Sequence, residues 1–455
     1  MAKANSGSLP LSFRSEEVTK IFACLTAGNS CQLVGIGSVG KSNLLRFLGQ
    51  RDVLRANLGK EWIKFLLVYV DANKLLQRSE WGLWELMLHQ MLIELATHGI
   101  QSSTIQDIDD LHRRAIEPST RHIALRYLDR AVSIVCKTLG LRLIFLFDEF
   151  DDLYRGLAPQ AFSVLRALRD DHKYRLMYVV ATRVEIFRLS GTEMNREAFE
   201  ELIAENTLWL TAYSEEDAQN MLQRLLARHK LTLDQKSRKE LLQATGGHPG
   251  LIRASFPVLR ERLDGVLPAW IGDRRIREEC QRIWASLSKE EQKALTILAN
   301  GRLRSLTSES VNDLRRKGLI GGNWAKPGNI FSSILAAYIC KENPSIGTRV
   351  QIDRQKRIVW VDDLKIQDLA FLEYRLLEFL ESRRGQVCTR YEIGKYLYRD
   401  EVVKEGFSDN RIDSIVKRLR KQVERNPKEP ELIITVHGVG FRLVDGENAS
   451  AVVET

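Results

Sequence analysis

Residues 35 to 42 read Gly35-Ile36-Gly37-Ser38-Val39-Gly40-Lys41-Ser42. Gly35, Gly40, Lys41 and Ser42 fill the G-x-x-x-x-G-K-[ST] pattern of a phosphate-cradling loop, the Walker A motif. The chemistry asks for these residue types. Glycines at 35, 37 and 40 let the backbone wrap close to a triphosphate, so successive N–H groups, those of Ser38, Val39 and Asn43 included, can converge on an anion. Lys41 brings a compact charge to the β- and γ-phosphates, and the Ser42 hydroxyl is placed to ligate Mg²⁺. A helix starting near Lys41 adds its positive dipole end. The flanks agree: Cys31–Val34 reads as a short buried strand, and Asn43–Leu48 has helical spacing. The expected ligand is ATP or ADP with Mg²⁺.

A second element has the Walker B form. Leu143-Ile144-Phe145-Leu146-Phe147 is an apolar run of buried-strand length that ends in Asp148-Glu149. Asp148 is expected to hold the Mg²⁺ shell and Glu149 to polarise the attacking water. Asp151 and Asp152 are expected to be solvated. Further apolar runs at Phe65–Asn73 and Leu176–Arg183 alternate with helical stretches at 43–50, 81–97, 119–138 and 159–170. That alternation predicts an α/β fold with a doubly wound parallel sheet. Ligands in such sheets sit beyond the carboxyl ends of the strands, where Thr182 and Arg183 fall as candidate γ-phosphate sensors. Trp81 and Trp84 are expected to pack a helix into the core.

The whole chain sets wider bounds. Its 455 residues suggest about three domains. A formal net charge of +9 is compatible with an acidic partner. The cysteines at 24, 31, 136, 280, 340 and 388 form no C-x-x-C pair, which suits reduced thiols in a cytoplasmic protein rather than zinc or disulfides. Neither a signal-peptide core nor a run of membrane-spanning length is apparent, so no membrane partner is expected.

From Val184 to about Ala285 the pattern reads as helical, and Gln235–Ala244 runs into Gly246-Gly247-His248-Pro249-Gly250. Proline is at home in a first helical turn. Walker A, the Asp-Glu Walker B, the strand ending Thr-Arg and this late Gly-His-Pro turn together resemble the STAND branch of the AAA+-related ATPases, with the origin-recognition ATPases as cousins. The resemblance implies a helical lid whose His248 and Pro249 pack on the nucleotide base. It places Arg253 near the site of a second sensor arginine and leaves an arginine finger unassigned. It also implies that hydrolysis is slow, and that a small winged-helix domain follows over 286–342. There Ser286-Leu287-Ser288-Lys289-Glu290-Glu291 reads as a capped helix start.

Beyond a linker at 343–347, Val350–Ile352 and Ile358–Val361 alternate as a hairpin should. Leu369–Leu380 and Thr389–Leu397 read as helices. In the next helix, Ser408–Arg425, 100° per residue puts Ile412, Ile415, Val416, Leu419 and Val423 on one side. Arg411, Lys417, Arg418 and Lys421 fall opposite, with Ser414 among them and the acids Asp409, Asp413 and Glu424 outnumbered. A hairpin follows, Leu432–Val436 and Phe441–Val444 about a His437-Gly438-Val439-Gly440 turn. The phrases Leu-Glu-Tyr-Arg-Leu-Leu, Lys-Arg-Leu-Arg-Lys at 417–421 and Thr-Val-His-Gly-Val-Gly-Phe-Arg-Leu at 435–443 resemble the winged-helix DNA-binding domain of OmpR/PhoB-type response regulators over 348–446. The resemblance implies a major-groove helix in double-stranded DNA, with Arg411 and Arg418 as base readers and Lys417, Arg420 and Lys421 at phosphates. His437 stands where that family commonly has arginine, so its wing turn meets the minor groove with a titratable side chain. Where that family has a receiver domain, the residues ahead of this module read as an ATPase.

The expected layout is a tail at 1–10, a P-loop core at 11–185, the lid at 186–285, a first winged helix at 286–342, the linker, the DNA reader at 348–446 and a tail at 447–455. The expected function is a nucleotide-gated transcription regulator that forms homo-oligomers when ATP-bound. The alternative is a DNA-remodelling, loading, defence or mobile-element ATPase whose main work is hydrolysis.

Overall fold

A computed structural model describes residues 9–75, 77–117, 119–189, 197–261, 272–299, 306–322, 325–326, 328–342, 350–361, 364–366, 369–403, 409–424 and 426–444. The chain divides into two compact units. The first comprises residues 1–288 and 313–334, the second residues 289–312 and 335–455.

The first unit is built on a five-stranded sheet in the order β2-β3-β4-β1-β5, all parallel. Its strands are β1 (Cys31–Gly35), β2 (Phe65–Asp71), β3 (Arg142–Asp148), β4 (Leu176–Thr182) and β5 (Thr207–Leu210). Every residue of β1 and β4 is buried, as the continuous apolar runs require of strands covered on both faces. Helices Glu80–His98, Ser102–Ile116, Ala124–Ser133 and Pro159–Asp171 bring Trp84, Met87, Ile108, Leu128, Phe162 and Leu165 into one core with β2, β3 and β4. Trp84 is buried, and Trp81 is half-buried with its indole N–H donating to the Ala115 carbonyl.

Two expectations change here. β5 lies inside the stretch read as purely helical, and it pairs with β1 from Gln32↔Thr207 to Gly35↔Leu210. Only four residues long and buried solely at Leu210, it lacks the apolar density that marks an inner strand. Ile186, Phe199 and Ile203 also join the sheet's core, so the P-loop core continues past residue 185, through β5. The 286–342 stretch contributes helices Lys289–Ala299, Ser308–Arg316 and Ser333–Glu342 and, among the described residues, one antiparallel bridge, Ile320↔Ile330. Residues 286–288 and 313–334 fall in the first unit, and 289–312 and 335–342 in the second.

In the second unit an antiparallel sheet of β6 (Val350–Asp353), β7 (Ile358–Val361) and β8 (Leu364–Ile366) precedes three helices, Phe371–Ser382, Arg390–Val403 and Asp409–Val423. β9 (Val387–Thr389) then joins a hairpin of β10 (Ile433–Val436) and β11 (Gly440–Leu443) in the order β10-β11-β9. Gly440 is required, because a Cβ there would run into the Cys388 backbone of β9. This is the winged-helix arrangement expected from the sequence. Ser408, Arg425, the 343–347 linker and both tails except residues 9 and 10 lie outside the described residues.

Glu424 fixes the hairpin to the end of the third helix. Its buried carboxylate accepts the N–H groups of Glu431, Leu432 and Ile433 at 2.7–3.1 Å. Glu424→Ala would strand these donors, and hydrogen bonds to a charged group contribute on the order of 1.5–3 kcal/mol each. The variant is expected to lower the unfolding free energy of the second unit by about 3 kcal/mol in a denaturant titration, with Glu424→Gln intermediate. A change below about 0.5 kcal/mol would show that the hairpin is held by its apolar contacts alone.

Candidate nucleotide site and nucleic-acid interface

β1 ends at Gly35, the loop turns through Gly37-Ser38-Val39-Gly40, and a helix opens at Lys41 and runs to Leu48. Two loop residues are left-handed, Ser38 with φ 56° and Gly40 with φ 100°. A side chain at Gly40 would also press on the Tyr213 hydroxyl, so only glycine fits this turn. Lys41 is buried and its ammonium donates to the carbonyls of Gly35 (2.6 Å) and Ile36 (3.2 Å). Burial lowers its pKa to about 8, against the upward pull of Asp151, Glu149 and Asp148. Ser42 is half-buried on the first helical turn, and Asn43 beside it is exposed.

Asp148 ends β3, buried, and the Tyr69 hydroxyl of the neighbouring strand donates to its Oδ2 at 2.6 Å. Glu149 follows in a left-handed turn (φ 51°), its backbone N–H donating to Asp148 Oδ1. Its carboxylate receives Arg183 Nη2 at 2.5 Å. Burial raises the Glu149 pKa, opposed first by Arg183. Thr182 ends β4 with its hydroxyl wholly buried and unpartnered. The expectation that Asp151 is solvated is corrected. It is 1% exposed, and both its oxygens accept the Arg183 backbone N–H at 3.0 Å. It therefore anchors the turn that presents Arg183. Asp152 is half-buried.

These features suit a nucleotide with Mg²⁺. The glycine turn leaves no room for a Cβ, Lys41 lies inside the loop, and Ser42 and Asp148 offer the oxygen ligands that a hard divalent cation prefers.

The Gly-His-Pro turn meets this loop directly. His248 is fully buried, and its Nε2–H donates to the Gly37 carbonyl at 3.0 Å while Nδ1 accepts from the Leu251 N–H. Pro249 is buried and opens the helix Pro249–Glu261, on which Arg253 is exposed. Gly250 sits so close to Ser38 and Glu279 that a side chain would collide with both. On the other side of the loop, Ser286 Oγ accepts the Gly37 N–H at 2.8 Å while donating to Ile283 O. Ser286 follows the helix Arg274–Ala285 as its cap, and the expected helix start follows at once, with Lys289 as the first helical residue and Glu290 and Glu291 in the first turn. Glu279 of the capping helix is buried, with Oε2 on Arg282 and Oε1 unpartnered. Arg14 completes the frame: one of its nitrogens, Nη2, donates to the carbonyls of both Val39 and Thr211, and the guanidinium lies over the Tyr213 ring. Arg14, Tyr213, Glu279 and Ser286 have no motif of their own, and the chain returns them to the loop from far away in sequence.

In the second unit the Asp409–Val423 helix is divided as its periodicity predicts. Ile412, Ile415, Val416, Leu419 and Val423 are at most 2% exposed. Arg411, Ser414, Lys417, Arg418 and Lys421 are exposed, as is His437 at the hairpin turn. Ser414 Oγ donates to the Asn410 carbonyl one turn back. Arg418 leans toward Glu373 at 3.5 Å yet stays 61% exposed. Arg420 departs from the phosphate-contacting expectation. It is half-buried over Phe441, with Nε and Nη2 donating to the Ile433 carbonyl and Nη2 also to Thr435 Oγ1, which makes it a clasp for the hairpin. Two of the three acids are likewise engaged elsewhere: Asp413 pairs with Arg390, and Glu424 caps the hairpin. Among the described residues, no helix is long and apolar enough to cross a membrane.

Residues 367–443 match the family described as "Transcriptional regulatory protein, C terminal". Over 108 residues the chain is 34% identical to a probable transcriptional regulator, ycf27, of Cyanophora paradoxa, covering 24% of this chain and 44% of that protein. It is 37% identical over 103 residues to the transcriptional regulatory protein AfsQ1 of Streptomyces coelicolor, covering 22% and 43%. The chain thus spans less than half the length of these relatives. Among solved structures, a Walker-type ATPase of Pyrococcus abyssi aligns with 72% of this chain and 95% of its own, at 16% identity and a TM-score of 0.45.

Two measurements probe the loop. Ser286→Ala frees the Gly37 N–H, and a neutral hydrogen bond contributes about 1 kcal/mol, so nucleotide affinity should rise about fivefold in a fluorescent-ADP titration. An unchanged or weaker affinity would show that Ser286 does not compete with phosphate. Burial lowers the His248 pKa from 6.5 to about 3. The unfolded chain then binds a proton that the folded ring refuses, so the stability from neutral His248 is complete above pH 6.5 and is lost as pH falls toward 3. His248→Asn should reduce the drop in urea midpoint between about pH 7 and pH 5; an equal drop would place the acid sensitivity elsewhere.

Proposed function

We propose that the C-terminal domain, a member of the transcriptional regulatory C-terminal family, binds double-stranded DNA under control of ATP or ADP held with Mg²⁺ at the Walker loop. The observation that carries this reading is the clasp on Gly37. Its N–H points to Ser286 and its carbonyl to His248, so phosphate can take that N–H only by displacing Ser286. A ligand changes a conformational equilibrium only through unequal contacts in the two states, and this contact is unequal by construction. The buried Glu279 carboxylate close by adds repulsion toward an incoming triphosphate. In sequence, Ser286 leads directly to Lys289, where the second unit's residues begin. Displacement of Ser286 is therefore transmitted along the chain toward the DNA reader.

Within the nucleotide site, Lys41 neutralises the β- and γ-phosphates, and Ser42 and Asp148 hold the cation. Glu149 orients the attacking water once Arg183 releases it for the γ-phosphate; until then the ion pair keeps turnover slow. Thr182 is a second candidate sensor, and Gly35, Ser38, Val39, Gly40 and Asn43 frame the phosphates. His248, Pro249 and Arg253 carry the lid's response. At the DNA reader, Arg411 and Arg418 read bases, Lys417 and Lys421 contact phosphates, Ser414 lies on the same face, and His437 enters the minor groove. ATP-bound copies associate, and avidity sharpens the response.

The test is selection of duplexes from a random pool by the full-length protein with ATP, with ADP and without nucleotide. A discrete motif recovered in a nucleotide-dependent way supports the regulator; strong recovery without a motif supports a remodelling or loading ATPase instead. On the selected duplex, Arg418→Ala should relax base preference, and Lys421→Ala should weaken all sequences alike and reduce the salt slope by about 1. The same loss of preference in both variants would contradict these roles. Lys41→Ala should abolish nucleotide binding.

A further inference from the structure

Away from the phosphate loop, three metal-ligating side chains meet between two helices of the first unit. Glu85 and His89 stand four residues apart on the helix Glu80–His98, and His112 comes from the adjoining helix Ser102–Ile116. One ligand atom from each lies within 4.8 Å of the others. His112 Nε2 is 3.0 Å from Glu85 Oε1, and the two imidazole rings lie 5.3 Å apart, inclined by 34°. Glu85 is buried although it carries a carboxylate, and the His112 side chain is 13% exposed.

From these we infer that Glu85, His89 and His112 form a site for a divalent late-transition cation such as Zn²⁺. The geometry and the donors both favour it. Tetrahedral zinc with bonds of about 2.0–2.1 Å places its donors about 3.3 Å apart, close to the Glu85–His112 separation already present. Two imidazoles select against Mg²⁺ and Ca²⁺, which prefer oxygen ligands, so the site is chemically distinct from the Ser42–Asp148 pair. Three protein ligands leave a fourth position for water or an exogenous group. Spacing of i,i+4 places Glu85 and His89 one above the other on a single helix face, and the partner helix supplies the third ligand, so metal would cross-link the pair. The Glu80–His98 helix packs on β2, whose Tyr69 holds Asp148, so that cross-link stiffens the scaffold behind the Walker B strand. Without metal, the His112–Glu85 hydrogen bond pins the two helices together.

The test uses tag-free full-length protein stripped of metal, titrated with ZnCl₂ and with CoCl₂. The site predicts one equivalent of zinc retained through gel filtration and a tetrahedral cobalt spectrum of visible d–d bands. It also predicts a zinc-dependent rise in melting temperature. His89→Ala and His112→Ala should each weaken zinc binding at least tenfold and abolish the cobalt bands, while Lys41→Ala retains both. Because His112→Ala also removes the hydrogen bond to Glu85, the exposed-side variant His89→Ala is the decisive one. Equal zinc binding by wild type and His89→Ala, or none by either, overturns the site.

Discussion

The nucleotide end of this molecule depends on how one peptide unit is shared. Gly37 can sit between the lid and the capping helix only because it has no side chain: a Cβ there would approach the Arg282 carbonyl and the Ser286 hydroxyl. Its N–H and carbonyl are then read from opposite sides, by Ser286 and by His248. Backbone polar groups demand partners when buried. The loop therefore has protein partners of its own, and any ligand that took the Gly37 N–H would have to compete with them. The burial that forces His248 to stay neutral also makes its contact with the loop insensitive to ordinary pH changes. Arg14 performs a similar service for the carbonyls of Val39 and Thr211 and so couples the start of the described chain to the same loop.

At the other end, the placement of charge is decided by which side chains the fold consumes. Glu424 and Arg420 count toward the charge of the basic helix in the sequence, but in three dimensions both side chains close the hairpin. Asp413 is similarly answered by Arg390. Arg411, Lys417, Arg418 and Lys421 stay exposed on a helix whose apolar side is sealed, a predominantly basic stripe. Such a stripe gives affinity that falls with salt, and only the side chains reaching base edges add sequence preference.

Much of this was legible in the sequence because the signals are local. Glycine spacing and Lys41-Ser42 specify the loop, Leu143–Asp148 specifies a buried strand with an acid at its end, and the 412–423 periodicity specifies the sealed face of the DNA reader. The parts that were not legible are set by tertiary return. β5 is four residues long and only partly buried, so it carries no run dense enough to read as a strand. Asp151 reads as a surface acid until Arg183 turns back onto it. Ser286 reads as part of a helix start at 286–291, which holds, but its hydrogen bond to Gly37 across the fold carries no local signal. Glu85, His89 and His112 are separated by a helix connection, and no short motif announces them.

The most direct measurement is the affinity of the full-length protein for one selected duplex at fixed salt, by fluorescence anisotropy, with ATP, with ADP and without nucleotide. A gate at Gly37 predicts affinities that differ at least tenfold between nucleotide states, a difference of about 1.4 kcal/mol, and that collapse to a single value in Lys41→Ala. Equal affinities in all three conditions would contradict it, because a ligand bound alike by both states shifts nothing.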